Sequence, residues 1–95
     1  MQAVGAFGEV KTDAEGLAKI AAWKSHVEGH TGAAYATFEP VHYTQQVVAG
    51  MNYKAKIHVG GGSHIHVKFY EPLPHTGDPV QISEHSDGHS LADAL

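Results

Sequence analysis

Apolar residues recur at helical spacing early in the chain and at a spacing of two later on. Ile20, Trp23 and Val27 fall three and four residues apart, with Leu17 and Ala34 nearby. That is one stripe of an amphipathic helix. The stretch is rich in alanine and free of proline. Asp13 is placed to cap it and Glu15 sits in its first turn. The pattern predicts one helix from Ala14 to about Ala34, weakened near its end by Gly29 and Gly32. Before it, Gly5, Ala6 and Gly8 mark an extended, mobile arm over residues 1–12.

From Tyr35 onward the period is two. Phe38 to Gln45 alternates apolar and polar, as a half-buried strand does. Gly50 and Asn52 signal a turn. Tyr53 to Val59 alternates cleanly, and Gly60-Gly61-Gly62-Ser63 reads as a second turn. Ile65, Val67 and Phe69 resume the alternation. Pro72, Pro74, Gly77 and Pro79 mark another loop, and Val80-Gln81-Ile82 reads as a short last strand. The polar tail, 84–95, is expected to be loosely held. The order predicts an α+β fold, with one long N-terminal helix packed across a four- to five-stranded antiparallel sheet. The helix stripe and the Ala55/Ile57/Ile65/Val67 face would cover each other. The 95 residues make a single domain, 1–95, with no internal repeat.

Composition narrows the function. The chain lacks cysteine, so no disulfide framework supports it, and a reducing, cytoplasmic setting is expected. The N-terminus has neither a basic start nor an apolar run of signal-peptide length. No stretch is long enough to span a membrane, so no membrane partner is expected. All six basic residues are lysines. Arginine is the usual reader of phosphates and base edges, so nucleic acid is not an expected partner. Nine histidines make the net charge, −4 with histidine neutral, strongly dependent on pH.

Two loops are unusual as structure. Gln46-Val47-Val48-Ala49-Gly50 puts β-branched apolar residues where a turn prefers Gly, Asn, Asp or Pro. Either the strand simply runs on before turning at Gly50, or an apolar tip is presented to a partner's cleft. Leu73-Pro74-His75 lies in a proline-rich loop. It reads equally as an ordinary connection and as a stiffened loop that loses little entropy on binding.

Gln46-Val47-Val48-Ala49-Gly50 has the QxVxG form of the cystatin superfamily, and Asn52-Tyr53 follows it. Leu73-Pro74-His75 is similar to the second loop of the type 1 cystatins (stefins), and Gly5 stands where that family keeps an N-terminal glycine. In these elements and their order the chain resembles a stefin over nearly its whole length. The resemblance implies a reversible, non-covalent inhibitor of papain-like cysteine proteases, of the cathepsin L, S, H or B kind. It would act with no cofactor and no chemistry of its own. Val4 and Gly5 would enter the non-primed side of the active-site cleft. Gln46, Val47, Val48, Ala49 and Gly50 would sit over the catalytic cysteine. Leu73, Pro74 and His75 would lie on the primed side. The resemblance also allows a domain-swapped dimer beside the monomer, formed by opening the first hairpin. Val4 stands where many stefins carry a further glycine, and the tail lacks the aromatic end common in vertebrate stefins.

Rival readings come from the histidines and from catalysis. A turn at Gly60–Gly62 would pair His58 with His64 across a hairpin, with His66 on the same face, a candidate set for Zn²⁺ or Cu²⁺. The plainer reading is histidine used as a polar residue on a solvent face, with His85 and His89 solvated in the tail. A metal-binding or non-inhibitory interaction module on the same scaffold is the alternative function. An enzyme is disfavoured, because there is no cysteine nucleophile and no recognisable catalytic spacing.

Overall fold

The computed structural model describes residues 8–95. Two short helices, α1 (Ala14–Ala21) and α2 (Lys24–Thr31), lie on one face of a four-stranded sheet. Its strands are β1 (Glu39–Val48), β2 (Gly50–Gly60), β3 (Ser63–Glu71) and β4 (Gln81–His89). The strands pair antiparallel in chain order. In such a meander the β1–β2 and β3–β4 connections fall at one end of the sheet and the glycine turn at the other.

The expected helix starts where Asp13 caps it, with the Asp13 carboxylate accepting from the Gly16 N–H at 2.8 Å. It ends one turn early, at Thr31, with Gly32 in the left-handed conformation. It is also broken at Ala22–Trp23, which corrects the single helix expected from the sequence. The Trp23 N–H donates to the Ile20 carbonyl, a tighter bond than a helix makes, before the helix resumes as Val27 N–H bonds Trp23. Neither Pro nor Gly stands at the break, so helix propensity could not signal it. The indole instead packs between Tyr53 and Phe69, with ring centroids 5.5 and 5.0 Å away.

The core is the one the alternation requires. Ile20 and Val27 meet Ala55, Ile57, Ile65, Val67 and Phe69, all buried, with Tyr43 and Tyr53 completing the layer. Tyr43 reaches the helix start, where its hydroxyl donates to Asp13 at 2.7 Å. Burial, then the Asp13 carboxylate, pushes this phenol up to about 12.

The arm is partly tied. Gly8 N–H donates to the Gln45 carbonyl at 3.1 Å, and Lys11 exchanges both backbone bonds with Tyr43 at 2.7 and 3.0 Å. Residues 8–11 therefore run along the outer edge of β1.

The far face of the sheet departs most from expectation. It is not a solvent face. β4 continues to His89, past Ile82, and the chain then turns back over β2 and β3, which corrects the loosely held tail expected over 84–95. Lys56 is fully buried there, its ammonium donating to the carbonyls of Ser90 (2.6 Å), Leu91 (2.9 Å) and Asp93. His64, His66 and Thr44 are buried beside it.

Candidate functional site at the hairpin end of the sheet

The first hairpin turns more sharply than its sequence suggests. Val48 pairs with Gly50, leaving Ala49 alone at the tip, while Asn52, expected in a turn, lies in β2 opposite Gln46. The strand does run on to Val48, and the tip is apolar and exposed: Val47 is 69% and Val48 39% exposed. Folding alone does not require such a tip, since it leaves apolar surface in water.

Gly50 forms the base of the hairpin rather than its surface. It is buried, with φ of +115°, and a Cβ there would lie 2.5 Å from the Glu71 carbonyl oxygen and 3.0 Å from the Tyr70 ring. Only glycine meets both the dihedral and the close approach. Asn52 braces the tip from the opposite strand, its amide donating to the Gln46 side-chain oxygen at 2.8 Å.

The second loop begins where β3 ends. Leu73, 39% exposed, precedes a single 3-10 turn, Pro74–Thr76, closed by Thr76 N–H on the Leu73 carbonyl at 3.1 Å. Thr76 also donates its hydroxyl to that carbonyl at 2.8 Å. Pro74 and His75 are exposed, whereas Pro72 is buried and anchors the loop. Lys19 of α1 ties the strand end, its ammonium 2.7 Å from the Glu71 carboxylate and 3.2 Å from the Tyr53 hydroxyl. Partial burial alone would lower this ammonium's pKa, but the two acceptors raise it above the ordinary lysine range.

These parts share one end of the sheet. Met51 pairs with Glu71, and Tyr70 donates its hydroxyl to the Ala49 carbonyl, so the first tip and the root of the second loop touch. The arm is antiparallel to β1, with Lys11 opposite Tyr43 and Gly8 opposite Gln45. Its described part thus leads toward Val47 and Val48. Val10, 56% exposed, adds an apolar side chain to that edge. Val4 and Gly5 lie outside the described residues. Sequence reasoning singled out neither Val10 nor Tyr70, and used Asn52 only as a turn signal and as part of a family pattern. Strand register is what gives them their places.

The histidine set does not assemble. His58 and His64 do face each other across β2 and β3, with centroids 5.1 Å apart, as the expected register requires. His66 instead stacks on His89 at 3.6 Å. Among the described residues, no three His, Cys, Asp or Glu side chains are set to hold a metal ion. His85 and His89, expected to be solvated, are half-buried, and His85 meets His30 of α2 edge to face at 5.2 Å.

A helical layer on an antiparallel meander, with an edge arm and two apolar hairpin ends gathered at one end, defines a scaffold that presents a ridge. The chain belongs to the cystatin family: the family model described as the cystatin domain matches residues 5–86. It is 42% identical to cystatin-A1 of Sus scrofa over 76% of this chain and 70% of that protein. It is 40% identical to cystatin-B of Oplegnathus fasciatus, over 76% of this chain and 72% of that one. Against human cystatin-B it is 32% identical, over 76% of this chain and 74% of that one.

Proposed function

We propose that this protein is a reversible, non-covalent inhibitor of papain-like cysteine proteases, occupying the active-site cleft with its arm and two hairpin ends. The observation that carries the reading is the clustering of exposed Val47, Val48 and Leu73 at one sheet end, in a chain of the cystatin family. Apolar side chains on preformed hairpins bury area with little ordering cost. The contacts are assigned to Val4, Gly5, Gln46, Val47, Val48, Ala49, Leu73, Pro74 and His75. Gly50 serves by shaping the tip. No bond need be made or broken.

Cathepsins of the L, S, H and B kind are the proposed targets. The absence of cysteine supports a cytoplasmic site of action. Among the described residues no helix is long and apolar enough to cross a membrane. The monomer is the inhibitory form. A domain-swapped dimer that opened the first hairpin would straighten Val48–Gly50 and lose the tip.

Titration of active papain with the purified monomer, read with a fluorogenic substrate, tests this. Stoichiometric loss of activity, restored on dilution and absent with Gly50→Trp, is expected. Papain left fully active by the folded protein would overturn the reading.

A further inference from the structure

The tip of the first hairpin carries a polar group that the apolar side chains around it do not serve. Val48 and Gly50 pair directly across the turn, so the Ala49 carbonyl projects from a one-residue tip. Its partner is the Tyr70 hydroxyl, contributed by the neighbouring strand β3. The same ring lies against Gly50, where an added Cβ would come within 3.0 Å of it. Tyr70 is the residue before Glu71, whose carbonyl oxygen closes on Gly50 and whose carboxylate is held by Lys19. One side chain thus links the first tip to the root of the second loop.

We propose that Tyr70 is a positioning residue for protease binding, whose hydroxyl supplies the Ala49 carbonyl with a hydrogen-bond partner that stays with it inside a water-excluding cleft. This rests on the inhibitory reading above. In the free protein the bond is exposed, so water can replace the hydroxyl at little cost. In the complex the tip would be enclosed, and a carbonyl without a partner there carries the desolvation penalty in full. The hydroxyl therefore acts chiefly on the bound state. The ring has a second effect: by packing on Gly50 it keeps the two hairpin ends in one relative position before the protease arrives, which reduces the ordering cost of binding.

This separates Tyr70 from a residue that only stabilises the fold. Tyr70→Phe keeps the ring and removes the hydroxyl. The experiment measures association and dissociation rates for papain, and the thermal midpoint of the free protein, for wild type and Tyr70→Phe. Dissociation faster by on the order of tenfold, with association changed by less than about threefold and the midpoint unmoved, is the expected result. Tyr35→Phe serves as control, since the Tyr35 hydroxyl hydrogen bonds Thr31 at the C-terminal end of α2 and its ring lies against Phe38; its rates should match wild type. Equal dissociation rates for wild type and Tyr70→Phe would overturn the proposal while leaving the inhibitory reading intact. A lowered midpoint, with affinity falling in proportion, would also overturn it by reducing Tyr70 to a stability residue. A wild-type protein that does not inhibit papain would remove both.

Discussion

The imidazole of His66 lies flat on that of His89, with ring centroids 3.6 Å apart and planes 10° from parallel. Two charged rings could not rest that way without repulsion. His66 is 6% exposed, its Nε2 has no hydrogen-bond partner among the described residues, and Lys54, Lys56 and Asp93 are its other charged neighbours. Burial, then the His89 and lysine charges, pushes its pKa from 6.5 down to about 4. Burial, with Lys56 and His64 beside it, lowers His42 in the same layer.

The sign follows from linkage. Between pH 6.5 and about 4 the unfolded chain binds a proton at this position that the folded chain does not. Stability from His66 is complete above 6.5 and is lost as pH falls toward 4. The loss is expected to be about 1–3 kcal/mol, discounted for screening at the edge of the layer. Below that range Asp93 takes over: the Ser90 N–H, then His89 and the Ser90 hydroxyl, hold it down to about 2, so its contribution fades as pH falls from 3.8. Urea unfolding at a series of pH values checks this. His66→Gln should flatten the profile between 6.5 and 4, and an unchanged slope would place the acid sensitivity elsewhere.

Lys56 holds the tail. Its ammonium is fully buried and donates to three carbonyls of the segment after β4. Lys56→Met removes all three bonds and leaves those carbonyls to find water by lifting the tail. A destabilisation of about 2–4 kcal/mol is expected. Amide exchange should speed up at Ser90 and Asp93, whose N–H groups are bonded within this turn. A tail that stays protected in the variant would show that β4 pairing, and not Lys56, retains it.

Val47 and Leu73 are exposed apolar residues in the free protein. Val47→Asp and Leu73→Ala should therefore change unfolding free energy by no more than about 0.5 kcal/mol. Each should weaken papain binding, the first by about a hundredfold or more through a buried unpaired charge, the second by about tenfold through lost apolar contact. Inhibition constants beside denaturation curves give both numbers from one preparation.

Gly50 should behave in the opposite way. Gly50→Ala must accept φ of +115° and a Cβ 2.5 Å from the Glu71 carbonyl oxygen. Strain of about 2–4 kcal/mol is expected. Because relief requires β2 to move away from β3, stability and inhibition should fall together. A variant that loses inhibition at unchanged stability would mean that Gly50 touches the protease directly.

Much of this was legible in the chain. The spacing of Ile20, Trp23 and Val27 determined which helix face is buried. The alternation from Tyr53 to Phe69 determined which sheet face receives it, because side-chain direction follows from local periodicity alone. The glycine turn determined that His58 faces His64. Tertiary structure decided the rest. The helix breaks at Trp23 where its ring packs between Tyr53 and Phe69, and nothing in local propensity encodes those partners. Tyr70 reaches Ala49 only because β1, β2 and β3 are neighbours in a particular register. The polar face carrying Lys56, His64 and His66 reads as solvent-facing from periodicity. It becomes an interior because the last residues fold back and supply carbonyls to the lysine, and that contact spans more than thirty residues of chain. Local pattern sets which way a side chain points; only the path of the rest of the chain sets whether it meets water.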